Sequence, residues 1–179
     1  MKEEYLDILS EKGEPTGVSR TYSDVHEEGL IHRAVHVWLV NPQKCILLQK
    51  RAAEKEAYPN YWDISASGHV SAGQTSIEGA QMETKEELGL SLPASAFLYF
   101  ATFGEQIILN NNTYINKEFQ DIYIVRMNVK LSDMHFDHEV SELKWVEFEK
   151  FKLMSKDEKS MLVPHAEEYD QLIRYIENL

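Results

Sequence analysis

The sequence predicts a mixed α/β (α+β) fold built around a central sheet. Three observations carry that prediction. "RAVHVWLV" and "CILLQKR" are apolar, β-branched runs around "NPQK", a Pro-containing turn, and read as a hairpin. "TSIEGAQMETKEELG" carries start and stop signals of a helix. "HAEEYDQLIRYIENL" places Tyr169, Leu172, Ile173 and Ile176 on one face of a second, amphipathic helix. Strands and helices do not alternate in regular βαβ units, so a mixed arrangement is expected rather than a parallel one.

The elements follow in order. "YLDILSEKGEPTGVSR" reads as two short strands about a turn at Lys12-Gly13, an N-terminal β-hairpin extension. "YSDVHEEGLIH" is polar and holds a helical turn. The core hairpin comes next, then a loop, "AAEKEAYPNYWDIS", that leads into a short strand near Trp62. Thr75 and Glu78 form a capping box, which starts a helix at about Ser76. Its inward stripe is Ile77, Ala80, Thr84 and Leu88, and Gly89 suits the position just past its end. "SAFLYFATFGEQIIL" and "EFQDIYIVRMNV" read as strands, with "NNNTYINK" as the loop between them. "LKWVEFEKF" is a last strand entering a short helix.

Length and composition narrow the function. With 179 residues, 43% of them hydrophobic, the chain suits one domain, 1–179, with residues 1–30 as an extension. Lys and Arg total 18 against 30 Asp and Glu, a formal net charge of −12. Such a surface repels phosphate backbones, which argues against duplex nucleic acid and anionic membranes as partners. A small phosphorylated ligand is still allowed, because a divalent cation inverts the local charge. The single cysteine, Cys45, excludes a disulfide within the chain and reads as a small buried hydrophobe. No apolar run reaches membrane-spanning length, and the acidic N-terminus lacks a signal-peptide core. A cytoplasmic protein, monomer or homodimer, is expected.

The acidic helix raises the chemical question. Glu83, Glu86 and Glu87 are related by three and four positions, so they share a helix face. Like charges at that spacing cost roughly a few tenths of a kcal/mol per pair. Lys85 points elsewhere. One reading is a solvated acidic face. The other is a site for a hard cation such as Mg²⁺ or Mn²⁺, which takes carboxylate oxygens and keeps places for water and phosphate. Gly68 and Gly73 bracket the loop ahead of the helix and permit close backbone approach to a ligand.

These residues resemble the Nudix box, Gly-x5-Glu-x7-Arg-Glu-U-x-Glu-Glu-x-Gly-U, where U is aliphatic. Gly68 opens it, Glu83, Glu86 and Glu87 fill its acidic core, and Gly89-Leu90 close it, over residues 68–90. Gln74, Met82 and Thr84 depart from the pattern, standing where the box has Glu, Arg and an aliphatic residue. The resemblance implies a Nudix fold with a mixed sheet sandwiched between helices. It implies Mg²⁺ or Mn²⁺ on Glu83, Glu86 and Glu87, and hydrolysis of a diphosphate linked to another group. The departures imply weaker metal affinity, reduced activity, or a different way of holding Glu83, and Gln74 and Met82 leave open a non-catalytic module that binds a nucleotide or metabolite.

"VHEEGLIHRAVHVWLV", "LLQKR" and "YPNYWDISASGHVSAG" are similar to the Nudix subgroup of type 1 isopentenyl-diphosphate isomerases. In that subgroup a catalytic cysteine precedes the Gly-His pair; here Ser67 stands there. His26, His32 and His69 fall at or near the subgroup's metal-binding histidines, which implies a second metal site. Glu118 matches its acid–base glutamate, and Asn116 stands where a second glutamate ligand is expected. Isomerisation of an unactivated alkene needs a donor and an acceptor on opposite faces, and serine substitutes poorly for a tunable thiol.

The resemblance therefore implies a short set of site residues. Glu83, Glu86 and Glu87 are the metal ligands. Glu86, Glu87 and Glu118 are the candidates for catalysis. Lys50, Arg51 and Gly68 are the candidates for contact with a small-molecule diphosphate. Glu139 and Glu142 read as solvated loop carboxylates or as a base, and His36 as a structural histidine.

Overall fold

Ile31–Val40 is the strand on which the rest of the fold assembles. It is β3, after the hairpin β1 (Tyr5–Leu9) and β2 (Pro15–Thr21) and a short helix α1 (Tyr22–Glu28). The computed structural model describes residues 3–109, 114–136 and 138–179. β4 (Ile46–Arg51), β5 (Trp62–Asp63) and β6 (Ala66–His69) lead to helix α2 (Ser76–Leu88). The long strands β7 (Phe97–Leu109) and β8 (Tyr114–Arg126) follow, then β9 (Val140–Val146), α3 (Phe148–Met154) and α4 (Ala166–Glu177).

The main sheet is mixed. β3 runs parallel to β8 from the Ile31–Lys117 pair to the Val40–Arg126 pair, and antiparallel to β6. β7 pairs with β8, and β9 pairs with β4, both antiparallel. Alternation along β3 sends its side chains to two faces. Val35, Val37 and Leu39 join Leu47, Ala80 and Leu88 in the core beneath α2. Trp38 and Val40 join Ile46, Leu48, Phe151 of α3 and Leu172, Ile173 and Ile176 of α4 on the other face. The sheet is thus sandwiched between helices, as expected.

Three local expectations are corrected. The core hairpin is joined only next to its turn, at the Val40–Ile46 pair. Beyond it β4 peels away to β9 and β5, and the vacated edge of β3 takes β6. That opening is what admits the loop before α2 to the centre of the fold. The "NNNTYINK" stretch is also not all loop: Tyr114–Lys117 is the start of β8, and 110–113 lie outside the described residues. Cys45 is half-buried rather than buried.

The caps explain why α2 begins and ends where it does. Thr75 accepts from the Glu78 N–H, and Glu78 accepts from the Thr75 N–H, so the capping box is complete. Gly89 is left-handed at φ 71° and its N–H returns to Lys85. The hairpin extension is tied to the loop before α2 by the Ala72 N–H to the Tyr5 carbonyl, 2.7 Å, and by a bridge between Leu6 and Ser71.

Candidate active site

A cleft of about 980 Å³ opens between α2, the hairpin extension and the ends of β3, β6 and β8. Three polar clusters lie at this cleft, although of the three histidines in the second only His69 belongs to its lining. The first comes from α2. Glu83, Glu86 and Glu87 all line the cleft, joined by Glu4, Glu139 and Lys55. Glu87 is buried, and its Oε2 accepts from the Ser67 N–H at 2.7 Å and Gln49 Nε2 at 2.9 Å. Burial pushes its carboxyl up to about 8. Burial, with Glu87 and Glu86 beside it, also drives Glu83 well above the usual carboxylate range. Glu86 is exposed.

Gly68 makes room for this group. A Cβ there would lie 2.3 Å from the Glu83 carboxyl carbon. Gln74 and Met82, at the two departures from the box, touch each other through Nε2 and Sδ at 3.6 Å. Neither brings a charge to Glu83. Buried Glu87 and half-buried Glu83 both resist ionisation; a divalent ion would favour their charged forms, and oxygen donors are what Mg²⁺ and Mn²⁺ take.

The second cluster gathers His26 from α1, His32 from β3 and His69 from β6. Their nearest ring nitrogens all lie within 4.8 Å of one another. Among the described residues, Nε2 of His26, Nε2 of His32 and Oδ1 of Asn116 are buried without a hydrogen-bond partner. Glu118 Oε2 lies 3.6 Å from His32 Nε2 and 3.9 Å from His69 Nε2. Burial holds His32 and His69 below the usual histidine range, with neighbouring His26 adding to the effect on both. Neutral imidazoles with orphaned nitrogens are fit donors for a metal. The resemblance thus grouped residues that lie 43 positions apart in sequence between His26 and His69.

The third cluster could not be found from motifs. Arg51 Nη1 donates to Asp63 Oδ2 at 2.8 Å, and His165 lies 3.4 Å from Asp63 and 3.7 Å from Glu105. Burial alone would keep His165 neutral, but Asp63 and Glu105 outweigh it and push the ring up to about 10. His36 donates from Nδ1 to Glu168 at 2.8 Å. All but Glu168 among these line the cleft.

Not every candidate is brought together. Arg51 lines the cleft, but Lys50 does not. Neighbours on a strand point to opposite faces, and the Lys50 ammonium lies 5.9 Å from the Trp62 ring centroid. Lys55, which pairs with Glu139, supplies a cation to the cleft instead. It lies in a charged loop with no motif around it, as Glu4 lies in the extension, so neither had a sequence signal.

The NUDIX domain profile matches residues 30–166. The chain belongs to the Nudix family. It is 41% identical over 169 residues to Nudix hydrolase 3 of Arabidopsis thaliana, covering 92% of this chain but only 22% of that relative's length. It is 32% identical over 155 residues to isopentenyl-diphosphate Delta-isomerase 2 of Photorhabdus laumondii, covering 85% of this chain and 82% of the relative. The solved structure of DR0079 from Deinococcus radiodurans aligns with a TM-score of 0.68 at 21% identity, over 98% of both chains, and supports the Nudix fold.

Proposed function

We propose that this Nudix chain hydrolyses the diphosphate bond of a nucleoside diphosphate linked to another moiety, or a similar metabolite, with Mg²⁺ or Mn²⁺. The observation that carries the reading is the pair of buried Glu87 and half-buried Glu83, both resisting ionisation and both facing one cleft. Glu83 and Glu87, with Glu86, would hold the ion; when bound, it screens the diphosphate and activates water.

The chain's own groups account for the rest. The Ser67 N–H and Gln49 fix one oxygen of Glu87 and leave the other for the cleft. Arg51 and Lys55 line the wall and meet phosphate oxygens. Water attacks one phosphorus, the bridging P–O bond breaks, and the proton of the water passes to a carboxylate. Glu86, exposed at the cleft, and Glu118, in its wall, are the candidates for that acceptor.

A second metal site at His26, His32 and His69, with Glu118, is favoured by the orphaned nitrogens of His26 and His32. It is the feature shared with the isomerase reading, which lacks a thiol at Ser67. Phosphate-containing products released from a panel of nucleoside diphosphate derivatives, with and without Mg²⁺, test the hydrolase reading, and exchange of solvent deuterium into isopentenyl diphosphate tests the isomerase one. Hydrolysis of at least one nucleotide, abolished by chelation and lowered about 100-fold in Glu87→Gln, is expected. No turnover on any of them, or turnover indifferent to Glu87→Gln, contradicts the proposal.

A further inference from the structure

Gln120 stands between two of the three clusters. It is buried on β8, where Asn116, Glu118 and Gln120 share one face by alternation. Its Nε2 donates to Glu118 Oε1 and to Glu105 Oε2, each at 2.7 Å. A side-chain amide has two N–H protons, and both are used here. The flipped amide would aim its oxygen at two carboxylates, so the network assigns nitrogen to this position.

The bond to Glu118 has a directional consequence. With Oε1 committed to Gln120, Oε2 is the oxygen turned toward His32 and His69, at 3.6 and 3.9 Å. The same amide neutralises part of the repulsion between Glu118 and Glu105, which face each other across it. Nothing else among the described hydrogen bonds holds the Glu118 carboxylate. We infer that Gln120 is a positioning residue for Glu118, fixing which carboxylate oxygen is presented to a metal held by the three histidines. The inference rests on reading that cluster as a metal site.

Co²⁺ is the probe, because its visible absorption reports ligand geometry. The full chain is titrated with Co²⁺ while excess Mg²⁺ occupies the α2 carboxylates. Gln120→Met keeps the side-chain length and loses both donors. It should bind Co²⁺ about tenfold more weakly and shift the visible bands, as loss of an outer partner of a ligand does. His32→Ala should remove the spectrum. If His32→Ala keeps the wild-type spectrum, the metal-site reading itself fails. If His32→Ala loses it but Gln120→Met retains wild-type affinity and band positions, the positioning role is overturned, whatever happens to thermal stability. Should Gln120→Met give no cooperative melt, Gln120→Asn, whose stem is too short to span both carboxylates, is read by the same two criteria.

Discussion

Gly68 and Glu83 occupy mutually exclusive space: a Cβ on residue 68 would sit 2.3 Å from the Glu83 carboxyl carbon. Gly68 is not left-handed, so alanine meets no positive-φ penalty there, and its nearest conflict is with the glutamate. Gly68→Ala should therefore displace Glu83 while leaving the fold intact. We expect Mn²⁺ affinity, measured by calorimetry, to fall about tenfold or more, with the far-ultraviolet circular dichroism spectrum unchanged.

The carboxylates set a pH dependence that metal should remove. Glu87 binds its proton up to about 8, far above its unfolded value, and Glu83 shifts the same way. In metal-free protein the stability from these protonated groups is complete below pH 4.5 and is lost as pH rises through 8. The loss is on the order of a few kcal/mol. His165 adds a loss of the same sign between 6.5 and 10, but Mg²⁺ does not touch it. The rise in Tm on adding Mg²⁺ should accordingly be larger at pH 8.5 than at pH 6. Glu87→Gln should reduce that difference; an equal rise at both pH values would contradict the assignment.

Glu168 is buried beneath the cleft, accepting from His36 Nδ1 at 2.8 Å and from Trp38 Nε1. Glu168→Ala leaves two buried donors unpaired and opens a void. Urea unfolding should show a loss of roughly 3 kcal/mol.

Arg51 and Lys50 are adjacent in sequence and separated in space. Arg51→Ala should raise KM for the diphosphate substrate about tenfold, since a phosphate contact is lost. Lys50→Ala should leave KM within about twofold, because Lys50 lies outside the cleft lining. Steady-state kinetics on the two variants decide between them.

Much of the fold was legible where local chemistry acts alone. The capping box at Thr75 and Glu78, the glycine stop at Gly89 and the stripe of α4 all depend on residues within a turn or two of each other. The core hairpin was only half legible. Its turn is local, but the departure of β4 from β3 depends on competition from β5 and β6, which no short window of sequence contains. The site divides the same way. Glu83, Glu86 and Glu87 are spaced by one helix. His26, His32 and His69 come together only when α1, β3 and β6 converge, and were grouped by resemblance alone. Lys50 and Arg51 could not be separated until strand alternation fixed their faces. Glu4, Lys55, Asp63 and His165 reach the cleft from four different segments, and nothing in their neighbourhoods marks them.

The central claim is that Glu83 and Glu87 crowd together because a divalent cation belongs between them. A crystal grown with Mn²⁺ and measured for anomalous scattering tests it most directly. The account predicts a peak bonded to both carboxylates. Anomalous density confined to the histidine cluster, or none at all with Glu83 and Glu87 in place, would contradict it.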